Sequence, residues 1–158
     1  MYLVLGLWLG ALVFFGAVLA PIAFSQLPPL FATPAAGIHA AGMIVGGSLV
    51  RLHWIGLFCG LIFLVVSVLA RAHYRTIIPQ AVLVLVMMLL TAYSQFSIIP
   101  RMDTARESVG GNVEAVAANN PGRQIFDRLH QRSVHVESLI LLCGVAALFA
   151  TTHCSREI

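Results

Sequence analysis

Apolar positions along the chain fall into four long blocks, separated by stretches where prolines, glycines and charges concentrate. A helix needs about 20 mostly apolar residues to cross a bilayer, and each block comes near that length. The first covers residues 2–24 without a charge, and Pro21, Pro28, Pro29 and Pro34 predict its end and a stiff, uncharged connection. The second covers residues 45–70, with a start as early as Ala40 and with Arg51 at headgroup level. The third covers residues 77–98, between Pro79 in its first turn and Pro100 at its close; proline is tolerated in a first turn and disfavours helix in the residue before it. The fourth is less apolar. Its uninterrupted part, residues 138–152, is too short to span, so the helix must take in His135 and Glu137 and is placed at residues 126–152, after the turn signal Asn119-Asn120-Pro121-Gly122. Residues 101–122, with Gly110-Gly111, read as a polar surface loop with a short helical piece. The prediction is an all-α chain, an integral membrane four-helix bundle forming a single domain over residues 1–158. The N-terminal block reads as a retained helix. No basic residue precedes Arg51, and the block is longer than the roughly 7–15 apolar residues of a signal peptide.

Composition strengthens this picture. Of the 158 residues, 59% are hydrophobic and 9% charged, against roughly 25% charged in a soluble domain. So small a globule cannot clothe itself in so few charges, and its apolar surface must face lipid. The net charge of +3 rests on arginine alone. These arginines are too scattered for a nucleic-acid face and suit anionic headgroups better. With four spans, Arg71, Arg75 and Arg156 lie on one side of the membrane and Arg51, Arg101, Arg106, Arg123, Arg128 and Arg132 on the other. Counting arginines near span ends makes the second side cytoplasmic, while the charge-dense 71–75 hairpin argues the other way. A prokaryotic inner or cell membrane is the expected location. Cys59, Cys143 and Cys154 are widely spaced and read as small buried hydrophobes without a disulfide or zinc pattern.

Helices in lipid gain little from burying apolar surface against one another, so close approach at small residues matters. Gly6 and Gly10, Gly42 and Gly46, and Gly56 and Gly60 each repeat at four-residue spacing. They predict tight helix contacts, within the bundle or with other membrane chains.

A charge inside a span costs at least about 2.5 kcal/mol at the bilayer centre, which makes Glu137 the most informative residue. Asp127, His130, Val134 and Glu137 follow one another at helical spacing and share a face, with Ser133 beside them. This stripe suits proton handling or ligand binding. The simpler alternative seats Glu137 at headgroup depth, paired with Arg51 or Arg132. His53 lies one turn before Gly56 and faces the same interior. His53 and His130 are thus candidate ligands for a metal, haem or chlorophyll between two helices; no cofactor is otherwise predicted. Thr91, Ser94 and Gln95 add a mild polar patch late in the third block. His39, His73 and His153 read as loop or interfacial residues, and Met87-Met88 as apolar filling. No metalloprotease, nucleophile-elbow, phosphate-loop or dinucleotide signature occurs, so no enzymatic activity is predicted.

The run Trp8-Leu9-Gly10, then Phe14 through Ala20-Pro21-Ile22-Ala23-Phe24 and Leu27-Pro28, resembles the start of the transmembrane-protein-205-like family. These are small four-helix membrane proteins, mostly of unknown function. Ile99-Pro100-Arg101-Met102 looks like the exit of that family's third helix, and Phe126, Leu129, His130 and Ser133 like the entry to its last. The resemblance implies a four-helix bundle without established enzyme activity and marks Pro21, Pro100, Arg101, His130 and Ser133 as family positions. Eukaryotic relatives are linked to platinum-drug resistance. The family often carries an asparagine about a turn after that serine, where this chain has Glu137. Two functions are expected to compete. One is a non-catalytic accessory subunit packing against other membrane chains, in a redox or photosynthetic complex. The other is a transport or resistance protein for a small molecule or metal compound, using Glu137, His130 and Gln95.

Overall fold

Four rods of helix make up the protein, and two of them owe their continuity to an unusual turn. The computed structural model describes residues 2–70 and 78–154. The first rod joins α1 (Tyr2–Phe14), a π-helical turn (Phe15–Leu19) and α2 (Ala20–Gln26). A short 3-10 turn, Pro28–Leu30, leads to α3 (Pro34–Ala70), which is the second rod. The third joins α4 (Ile78–Tyr93), a second π-helical turn (Ser94–Ile98) and α5 (Ile99–Glu107). After a 3-10 turn at Val113–Ala115, α6 (Pro121–Cys154) forms the fourth. No strand occurs among the described residues.

Pro21 and Pro100 do not end their helices, contrary to expectation. Proline lacks the N–H that would close an ordinary helical bond, and its ring collides with the carbonyl four residues back. In each rod a wide turn lies just before the proline: the Ala20 N–H bonds Phe15 O and the Ile99 N–H bonds Ser94 O, each reaching back five residues. The extra residue relieves the crowding, and the helix runs on. The region expected as a polar loop from residue 101 is therefore helical to Glu107, and the loop proper turns at Gly110 and Gly111, whose φ values of 79° and 90° belong to glycine.

The second span also starts earlier than residue 45. Pro34 opens α3, where its missing N–H costs nothing, and Thr33 caps it by accepting from Ala36 N at 3.3 Å. Likewise Pro121 opens α6, before residue 126, with Asn120 Oδ1 accepting from Gly122 N at 2.9 Å. The 37 residues of α3 reach about 55 Å and the 34 of α6 about 51 Å at 1.5 Å per residue. Both exceed the roughly 30 Å of a hydrocarbon core.

Leu5, Trp8, Leu9 and Leu12 of α1 meet Leu52, Cys59 and Phe63 of α3, Val84 and Met87 of α4, and Val136, Ile140 and Ala147 of α6 in one core. The three glycine pairs divide on contact. A β-carbon at Gly56 would strike the Trp8 indole, and one at Gly60 would strike Met88, so this pair does admit neighbours closely. Around Gly6, Gly10, Gly42 and Gly46 there is open space, so these four pack against nothing in this chain. The spacing rule misses close approaches at Gly37 against Pro28, at Gly122 against Ser108 and Val109, and at Gly144, where a β-carbon would strike Leu9. Four helices are long and apolar enough to cross a membrane. Large apolar side chains such as Leu3, Phe58, Leu69 and Phe149 stand exposed along them, an outer surface compatible with lipid. This is the architecture of a multi-pass membrane protein. Arg71, Arg75 and Arg156, on which the expected orientation leaned, lie outside the described residues, as do the side chains of His73, His153 and Cys154.

Candidate functional site

Three polar side chains from three rods meet inside the bundle. His53, only 1% exposed, comes from α3, one turn before the glycine that admits Trp8. Gln95 comes from the second π-helical turn, and Glu137 from α6. His53 Nδ1 lies 3.0 Å from Gln95 Oε1, and Nε2 lies 2.8 Å from Glu137 Oε1. An amide oxygen only accepts, so Nδ1 carries a hydrogen and donates it. Across the second contact, an imidazolium donates to a carboxylate, or a neutral ring accepts from a carboxylic acid. Each state holds one proton between the two groups and leaves the pair without net charge, which is how an acid is accommodated in a span. Glu137 Oε2 is buried and has no hydrogen-bond partner. Ser94 Oγ, beside Gln95 in sequence, is likewise buried and unpartnered.

Glu137 also lines a cavity of about 730 Å³ between the first π-helical turn, α2, the first half of α3, α5 and α6. Its walls are mostly apolar, with Phe15, Phe24, Ile38, Val50 and Leu141 among them. Gly16, Gly42 and Gly46 line it too, which explains the open space around them: their missing side chains leave room for the cavity. Asp127, His130, Ser133 and Glu137 all reach it, so the stripe expected on the last helix does share one face, and that face is the cavity wall.

The remaining polar lining comes from segments expected to be loop. Asp103 and Arg106 of α5 pair at 3.0 Å. Glu114 pairs with Arg123 at 3.0 Å, and Arg123 Nε lies 3.9 Å from Asp127. The Arg106 guanidinium sits 5.2 Å over the Phe126 ring, and His130 stacks parallel to that ring at 6.2 Å. Beside the neutral Glu137–His53 pair, three carboxylates stand at the cavity, those of Asp103, Glu114 and Asp127, against the guanidiniums of Arg106 and the neighbouring Arg123. The site is net acidic. Asp103 and Arg106 escaped the sequence reading because proline was taken to end the helix, although their three-residue spacing is that of a helical ion pair.

Two expected pairings are not formed. Glu137 engages His53 rather than Arg51 or Arg132; Arg51 is exposed and reaches back to its own helix at Gly47 O, 3.4 Å away. The ring nitrogens of His53 meet Gln95 and Glu137, while His130 stands apart at the cavity wall against Phe126. Cys59 is buried and Cys143 half-buried, both as free thiols.

A family model described as a domain of unknown function, DUF4149, matches residues 3–109. That span contains His53, Gln95, Asp103 and Arg106, and it ends before Glu137. No curated protein and no solved structure matches the chain.

Proposed function

The chain belongs to the DUF4149 family, a domain of unknown function, and we propose that it binds a lipophilic organic cation inside the membrane as a non-enzymatic carrier or resistance protein. One observation carries this reading: Glu137 Oε2 is buried, unpartnered and set in the wall of a largely apolar cavity. A buried carboxylate oxygen without a donor is costly, and a bound cation or amine would relieve that cost. The volume falls in the roughly 300–1,000 Å³ range of small-molecule sites, and aromatic walls at Phe15, Phe24 and Phe126 suit an organic cation. The excess of carboxylates favours positive over negative charge.

Binding to the purified protein in detergent tests it, using tetraphenylphosphonium beside a neutral tetraphenyl isostere. The cation should bind more tightly, and Glu137→Gln should weaken it roughly 10-fold through lost charge attraction, since a phosphonium has no hydrogen to donate, with the neutral compound little changed. Equal binding of both compounds, or a variant that binds the cation as well as the parent does, sinks the proposal.

A second reading keeps the accessory-subunit role. Gly6 and Gly10 are exposed on α1 with nothing packed over them, and a helix of another chain would fit there at close range. Crosslinking from Leu3 or Leu7 in native membranes tests it, and the absence of any crosslinked neighbour counts against it.

A further inference from the structure

The hairpin of α5 and α6 has two unlike faces. Asp103, Arg106, Asp127, His130 and Glu137 turn toward the cavity. Arg101, Arg128 and Arg132 line a separate groove, with Thr104, Ser108 and Leu129 also in its wall. The sequence sets this up. Arg128 and Arg132 stand one turn apart on α6, so their side chains share a face, and α5, carried past Pro100 by its wide turn, brings Arg101 beside them. Among the described residues none of the three forms an ion pair, and their only hydrogen bond is from Arg128 Nε to its own helix at Gln124 O, 3.2 Å. All three are exposed. Three guanidiniums that share a concavity without a counter-charge repel one another. Asp103, Asp127 and Glu137 of the same two helices line the cavity, whereas no acid lines this groove.

From this we infer a second binding site, for the phosphate of an anionic phospholipid. The chemistry fits in two parts. Guanidinium forks grip phosphate oxygens bidentately, and Leu139 and Leu142, exposed on the same face of α6 about two and three turns beyond Arg132, offer a bed for an acyl chain. A soluble phosphate would use only the first part, so a lipid accounts for both. The site also has the right setting: it lies on the stretch of α6 that precedes the long apolar run of residues 138–150, where headgroups would meet the helix. A lipid held there would brace the hairpin that forms one wall of the cavity. The inference does not rest on what the cavity binds.

Native mass spectrometry of the full chain, released from micelles carrying equal phosphatidylglycerol and phosphatidylcholine, reads the site directly. The protein should retain phosphatidylglycerol preferentially. Each arginine near an anionic surface contributes about fivefold, so Arg132→Gln should cut the preference by about that factor and Arg128→Gln with Arg132→Gln by more, while Arg132→Lys should keep most of it. Inorganic phosphate added in excess should not displace the lipid. Three results would overturn the inference: no lipid preference in the parent protein, an unchanged preference in the double variant, or full displacement by inorganic phosphate, which would make this a site for free phosphate. The parent measurement decides even if the double variant fails to fold.

Discussion

Glu137 is held by one oxygen and bare on the other, and this asymmetry sets what its neighbours contribute. His53 has no such freedom, because its two nitrogens join α4's continuation to α6 through Gln95 and Glu137. Removing the ring should therefore cost more than removing the charge. Glu137→Gln keeps a group of the same shape that donates to Nε2, and should change stability by about 1 kcal/mol or less. His53→Ala empties a fully buried position and strips two partners at once, and should cost about 3 kcal/mol. Thermal unfolding in one detergent orders the two variants, and a larger loss in Glu137→Gln would mean the pair is not built as described. Much of this group was legible from the sequence. An acid inside an apolar block and a histidine one turn from a glycine both point inward on cost alone. Their union was not legible, because helical spacing ranks residues within one helix and says nothing about the rotation of its neighbour. Arg51 seemed the natural partner for Glu137 by charge, yet it lies on the outer face of α3 while His53, two residues on, faces in.

At the scale of helices, the apolar blocks marked the four rods and misjudged their ends. Proline carries the error in the first and third rods, since a rule that counts one lost hydrogen bond has no place for a turn that widens to absorb it. Small residues carry it in the second, where the alanines and glycines following Pro34 form helix without presenting an apolar pattern. The glycine spacing was informative only where a neighbour happens to lie, and this gives a prediction with opposite signs. Alanine is better than glycine in a helix by about 0.5–1 kcal/mol. At Gly6 and Gly10, which face open space, alanine should raise the unfolding temperature of the isolated chain. At Gly144 the new methyl would meet Leu9 and Met87; overpacking of this kind costs about 1–3 kcal/mol and should outweigh the gain. Unfolding curves that move the same way at Gly6 and Gly144 would contradict the packing of α1 against α6.

For the whole molecule, the features that matter for binding gather at one end. The connection at residues 27–33 and the loop at residues 108–120 belong to that end, because the cavity between them is walled by Phe24 and Ile38 on one side and by Asn112, Val113 and Phe126 on the other. The apolar blocks predict four crossings, but no pattern along the chain announces a cavity, which exists only where α3, α5 and α6 come together with the first rod. The arrangement is asymmetric in polarity. Ile22, Leu30, Met43 and Ile44 are exposed on the α2–α3 side, while α5 and the start of α6 carry most of the charge. A lipophilic guest would thus approach from the apolar side and meet its polar partners across the cavity. Both connections must then lie on one side of the membrane. In a chain whose three cysteines are replaced by serine, single cysteines at the exposed positions Thr33 and Asn119 should both react with a membrane-impermeant maleimide from the same face of sealed, uniformly oriented vesicles. Neither should react from the other face unless the vesicles are opened. Labelling of the two positions from opposite faces would break the common end, and with it the cavity on which the binding function depends.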